Sequence, residues 1–519
     1  VDPSLPIYPA EASNGEFVPR APTAHERAMA HEICARIDHS AQRLHVDRRA
    51  LLHRASGVAA TLAVFNLFGC SSSDSLDGRT PTGSSTSSSV PGTATSSTSP
   101  TTTSGGVFEV PDPADVAACD EMLSGAEFIF DVHSHHVMPD GPWRENAPSI
   151  VSMIRPLVPD DCTSADPFEC LDRVSYLQDF FLASDTTIAM LSDVPNSGPD
   201  DAPIPWLEAL RTKQLADTSM RGGASRVLLH NVIAPNFGDL SARLDGMSQT
   251  AATRKVAAFK VYTAWGPGNQ GFAMDDPKIG LPVLDHARQL GIKILCAHKG
   301  LPIQGFDQRF NGPADIVAVA KQYPDMQFVV YHSAFERETV EGAYSPTAAT
   351  RGVSSLVKAV IDNGLPPNSN VWAELGTTWR ELMRKPNEAA HCIGKLLTHI
   401  GEDRVLWGTD SIWYGSPQPQ IMAFRAFQIT AEFQERFGYP ALTDARKQKI
   451  FGLNAAKLYG VQVDAARCAL QADKLEASKL EFASFVSSGR ITTPWQPRGP
   501  MSRRDVLAFL RVGGRIGAG

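Results

Sequence analysis

The sequence predicts an α/β fold, a closed (β/α)8 or TIM barrel, over residues 107–460 of 519. Three observations predict it. Eight short apolar runs alternate with helical patterns, the signature of βαβ units and a parallel sheet. The stretches between them, such as LPVLDHARQLG, ADIVAVAKQY and SSLVKAVIDNG, end at or near Gly or Pro, as helix stops do. Several runs also end in His or Asp, which is what a barrel that gathers its chemistry at the C-terminal ends of its strands requires.

The expected strands are EFIFDVH (127–133), TTIAMLSDV (186–194), RVLLHNVIA (226–234), VAAFKVYTA (256–264), IKILCAH (292–298), QFVVYHS (327–333), NVWAELG (370–376) and RVLWGTD (404–410). Their ends bring forward His133 and His135 after strand 1, Lys260 on strand 4, His298 on strand 5, His332 on strand 6, Glu374 on strand 7 and Asp410 on strand 8. Side chains alternate across a strand, so His133 and His135 project to one side and His136 to the other. A His-x-His pair on one side can grip a single ion, and imidazoles with one carboxylate suit a divalent metal, Zn2+ first, with Mn2+ or Fe2+ as alternatives. Asp410 could instead merely cap the next helix, and a lone buried His is more often a core residue; position at the strand ends favours the site reading for both. Glu374 and the loop aromatics Trp143, Trp379 and Trp413 are pocket-wall candidates by location. The stretch 136–171 is too long for an ordinary βα connection and is expected to form a lid.

The flanks read differently. Residues 1–45 are expected as an N-terminal extension without order. In 46–70, Arg48-Arg49 precede an apolar run from Ala55 to Phe68 that is too short to span a membrane comfortably. That layout is a twin-arginine secretory signal, and Leu67-Phe68-Gly69-Cys70 resembles a lipobox that would lipidate Cys70; the alternative is an ordinary amphipathic helix. Residues 71–106 are almost wholly Ser, Thr, Gly and Pro, the composition of a disordered tether. The tail 461–519 is expected as a helical extension, with Ser502-Arg503-Arg504 faintly like a second twin-arginine start. On this reading the protein is exported and meets the membrane only through a lipid anchor.

A net charge of −8, with 48 basic residues scattered along the chain, leaves no basic stripe for nucleic acid and points to a small-molecule substrate. The eight cysteines form no Cys-x-x-Cys pair. Cys162 and Cys170, in one loop, either bridge or remain two thiols.

DVHSHHVMP, DDPKIGLPVLDHARQLGIKILCAHKG, VVYHSAF, VLWGTDSIW and KIFGLNAAKLYG, in that order and spacing, resemble the amidohydrolase superfamily over about 127–460. The similarity is to the amidohydrolase-related branch that also holds non-oxidative decarboxylases. The resemblance implies that His133, His135, His298 and Asp410 are metal ligands and that His332 acts beside the metal on water or substrate. In dinuclear relatives a strand-4 Lys is carboxylated and bridges two metals, whereas the mononuclear branch does without it. Lys260 is therefore either a bridge or a substrate-binding or packing residue, and Glu374 shares that tentative place. The expected activity is hydrolysis of a small cyclic or aromatic amide, lactone or ester, with Asp410 and His332 as catalytic groups. Decarboxylation of an aromatic or enoic carboxylate is the alternative, and a non-catalytic surface lipoprotein the third reading. Oligomeric state is not legible in the chain.

Overall fold

A computed structural model describes residues 5–13, 18–69, 104–159, 162–220, 225–303, 305–471, 474–487 and 501. All eight expected strands are present, as β1 (Phe130–Ser134), β2 (Ile188–Leu191), β3 (Val227–Val232), β4 (Ala258–Val261), β5 (Ile294–His298), β6 (Gln327–Tyr331), β7 (Val371–Glu374) and β8 (Val405–Leu406). They pair in parallel and in chain order. The ring closes through backbone bonds: Val132 N donates to Trp407 O (3.1 Å), Asp410 N to His133 O (2.9 Å) and His135 N to Ser411 O (2.8 Å). Glycine is required at this closure. A Cβ on Gly408 would lie 1.9 Å from Glu374 Oε1 and 2.9 Å from His133 Cβ.

Inward residues of the strands, among them Phe130, Val132, Met190, Cys296, Tyr331, Trp372 and Leu406, fill the barrel with a packed core. Outward residues meet helices whose apolar positions recur at helical spacing. In the helix Gly352–Asp362, for example, Val353, Leu356, Val357 and Val360 are buried.

The flanks correct part of the sequence reading. Residues 1–45 were expected without order, yet Ala24–Leu44 forms a helix, α1, begun by a capping box between Thr23 and Glu26. Its Ile33, Ile37 and Ala41, four residues apart, are buried in the main core. A Pro- and His-rich composition masked this stripe. The apolar run also forms a helix, α2 (Ala55–Gly69), with Val58, Leu62 and Phe65 buried in the same core. No helix among the described residues is long and apolar enough to cross a membrane. Of the expected tether, residues 104–106 are described, and Gly106–Phe108 pairs antiparallel with Phe427–Ile429. Cys70, residues 71–103 and residues 502–519 lie outside the described residues. The tail forms helices Val463–Gln471 and Leu475–Ser487. Of the two readings of Cys162 and Cys170, the disulfide is the one observed.

Residues 5–13 are held against the helix that follows β7. Arg380 Nη1 donates to Ala12 O (3.2 Å) and Arg384 to Ala10 O. Between these arginines lies buried Glu381, which accepts from Arg380 Nη1 at 2.8 Å and pairs with Arg384. Burial raises the Glu381 pKa, but the charges of Arg384, Arg337, Arg380 and Lys385 outweigh it and hold the carboxyl at about 2. A depressed carboxylate adds stability that is present above its unfolded pKa of about 4.5 and lost as pH falls towards 2. Glu381→Gln is therefore expected to lower unfolding free energy at pH 7 by about 3 kcal/mol and to flatten the loss of stability between pH 4.5 and 2. Urea unfolding across that window measures both.

Candidate metal centre

The strand ends do converge. His133 and His135 leave β1 on the same side, and Asp410 Oδ1 lies 3.3 Å from Nε2 of each. These three form one compact donor group; His133, His332 and Glu374 form another that shares His133. His298 belongs to neither group, but its Nδ1 is 3.2 Å from His332 Nε2. Lys260 reaches the same place from β4, with Nζ 3.3 Å from His133 Nε2 and 4.3 Å from the face of Tyr331. Glu374 is no wall residue. It accepts from the His332 backbone N (2.9 Å) and from Gly376 N, and stands 3.3 Å from His133 Nδ1. All seven of these side chains are buried. His136 turns away, as alternation requires, and pairs with Thr212 Oγ1 at 2.8 Å.

Partners at the far side of each ring fix its tautomer. His135 Nδ1 donates to Ser192 O (2.6 Å), so its Nε2 carries the lone pair. His332 Nδ1 donates to Gly376 O (2.8 Å) and His298 Nε2 to Leu301 O (3.3 Å). The Lys260 ammonium can only donate, so His133 Nε2 also accepts. Burial, the largest cause in each case, holds all four imidazoles below their usual pKa, which keeps them neutral at pH 7. Asp410 remains ionised: burial raises its pKa, while the nearness of His135 and His332 and the hydrogen bond from Thr377 lower it by more. The lone pairs of His135, His298 and His332 and one carboxylate thus face a common space with no proton between them, and the His133 lone pair faces it too, met by the Lys260 ammonium. That donor set fits a divalent cation.

The backbone is strained around this space. Among the described residues, nine non-glycine positions have positive φ, and His332, Ser333, Ala334, Thr377 and Asp410 are five of them. Such conformations cost about 1–3 kcal/mol each and persist where surrounding structure imposes them. Thr377 was missed by sequence reasoning, yet its hydroxyl donates to Asp410 Oδ2 at 2.6 Å and so orients the carboxylate. Asp131 was also missed. It accepts from His133 N (3.0 Å) and Thr409 Oγ1 (2.5 Å), tying the two ligand-bearing strands together.

The cavity at the centre is only about 30 Å3. Met153, Ile154 and Leu157, from the expected lid, roof it together with Val194, Ile303 and Trp413. Trp413 stacks on His135, with ring centroids 5.7 Å apart. The other two tryptophans are corrected: Trp143 donates to Met138 O within the lid's own core, and Trp379 packs on Phe424 and Phe427 and donates to Gln420 O. Each indole N–H found its partner away from the site, a preference that position in the sequence does not reveal.

Among solved structures the chain is similar to an uncharacterized TIM-barrel protein from Bordetella bronchiseptica, with 13% identity over 65% of this chain and 99% of that one, and a TM-score of 0.41. It is also similar to 2,6-dihydroxybenzoate decarboxylase from Rhizobium (14% identity, 65% and 99% covered, TM-score 0.38). A third likeness is to an amidohydrolase from Mycobacterium avium subsp. paratuberculosis (15% identity, 66% and 100% covered, TM-score 0.35). Comparison with curated proteins gives no match. The Amidohydrolase family model matches residues 244–461, the stretch that holds Lys260, His298, His332, Glu374 and Asp410. The resemblance carried by the strand-end motifs is thus borne out over the stretch that the Amidohydrolase family model matches.

Proposed function

We propose that the protein is a metal-dependent hydrolase of a small cyclic or aromatic amide, lactone or ester. The observation that carries this reading is the oriented carboxylate of Asp410, ionised, held through Oδ2 by Thr377 and turned through Oδ1 towards His133 and His135. His133, His135 and Asp410 would hold the ion, with His298 or His332 completing the set; Zn2+ is the first candidate. When bound, such an ion lowers the pKa of water towards 7 and polarises a carbonyl. Asp410 takes the proton of the attacking water and returns it to the leaving group. His332, neutral and with Nε2 facing inward, accepts a hydrogen bond from water or, once protonated, steadies negative charge on the substrate oxygen. Lys260, lowered to about 8 by burial, keeps a positive charge beside His133 at neutral pH.

A second reading, non-oxidative decarboxylation, is favoured by the apolar roof of Met153, Ile154, Leu157, Val194 and Ile303. A dry wall raises the energy of a bound carboxylate and favours loss of CO2. The two separate cleanly in H2(18)O with metal-reconstituted protein. Hydrolysis puts (18)O into the acid product of a lactone and amide panel, and that is the expected outcome. Release of CO2 from aromatic carboxylates without label in the organic product would replace the hydrolase reading by the second.

For location we propose export with Cys70 lipidated. Support comes from the Arg48-Arg49 lead, the Leu67–Cys70 sequence and the Cys162–Cys170 bridge, which an oxidising compartment sustains. Because α2 packs on the barrel in the full chain, the decisive measurement is the mature N-terminus. A diacylated Cys70 in the membrane fraction is expected; an uncut chain in the soluble fraction would refute export.

A further inference from the structure

Beside the metal cavity lies a much larger one, of about 660 Å3. It opens between helices α3 (Trp206–Met220) and α4 (Leu240–Thr253), where β2 and β3 cease to pair beyond Leu191 and Leu229. Asp193 and Asn196 line this cavity, and Val194 and Pro195 line the metal cavity, so one turn of chain divides them. Its volume is that of a small-molecule site, which the 30 Å3 space is not.

Two features point to an anionic ligand. Arg254, half-buried, lies 4.9 Å over the Trp206 ring and donates to the neutral amide oxygen of Asn231, with no acidic partner among the described residues. Asp193 does not neutralise it, because its carboxylate is taken up by Val194 N, Ile204 N and Asn196 Nδ2. The remaining wall is largely apolar, with Leu191, Ile204, Val232 and Met247.

We propose that this cavity is a second ligand site, for a small flat organic carboxylate whose charge pairs with Arg254 beside Trp206 and whose ring lies on the apolar wall. It is distinct from the metal centre and does not depend on it. The test is equilibrium dialysis of 4-hydroxybenzoate against chelator-treated full-length protein, wild type and Asp410→Asn. One saturable site per chain is expected in both, with 4-hydroxybenzamide, the uncharged counterpart, binding roughly tenfold more weakly. Arg254→Gln should weaken the carboxylate roughly tenfold. Ligand-induced quenching of fluorescence should vanish in Trp206→Phe, and unchanged thermal melts of the variants exclude misfolding. Absence of saturable binding, or affinity indifferent to Arg254→Gln and to ligand charge, would overturn the site. Loss of binding in Asp410→Asn alone would place the ligand at the metal instead and refute its independence.

Discussion

Asp410→Asn is expected to lower turnover about a thousandfold while leaving the melt of the metal-free protein close to wild type. The substitution keeps shape but removes the charge that faces His133 and His135 and the base that takes a proton from water. An amide also matches Thr377 imperfectly, since that hydroxyl now donates to a carboxylate oxygen. Metal content by elemental analysis and turnover on the substrate panel read the two losses separately. Full metal and full activity in this variant would end the proposed mechanism.

His133→Ala should have the largest effect on metal. This ring touches every other part of the site: Asp410 and Lys260 through Nε2, Glu374 through Nδ1, and the ring of His332 at a centroid distance of 4.9 Å. Its removal deletes a donor and unfastens three others, so affinity is expected to fall by at least about a hundredfold, beyond what loss of a supporting partner costs. His136→Ala is the matched comparison. It loses the bonds to Thr212 and Val137 O and the contact with Tyr176, none of them at the metal centre, and should keep its metal, at a stability cost of about 1–2 kcal/mol. Equal metal loss in the two variants would deny His133 its special place.

The barrel was legible because a parallel strand must be apolar on both faces and its connecting helix on one, and those periods survive in a single sequence. The candidate donors were named for a related reason: alternation chose His133 and His135 over His136, and strand-end position brought forward His298, His332 and Asp410. Thr377 and Asp131 were not. Their roles arise only when β7 and β8 come beside β1, and a threonine or aspartate near a strand end has many ordinary uses. The helix α1 was hidden by the prolines before it and by its own histidines, although Thr23 and Glu26 carried a readable capping signal. Trp143 and Trp379 were assigned to the wall because nearness in sequence to a strand end says nothing of which way an indole turns. His298 lines the same cavity as His332, with its Nδ1 3.2 Å from His332 Nε2.

The closure of the barrel has a kinetic consequence. The backbone bonds that join the first and last strands are made by His133, His135 and Asp410 themselves, residues separated by more than half the chain. Contacts of such long sequence separation form late, after loop closure has been offset by local structure. The chain therefore brings its donors together only once residues 407–411 have joined β1. A metal that binds only the closed ring would hold that seam shut, so the proposed centre would also act as a clasp.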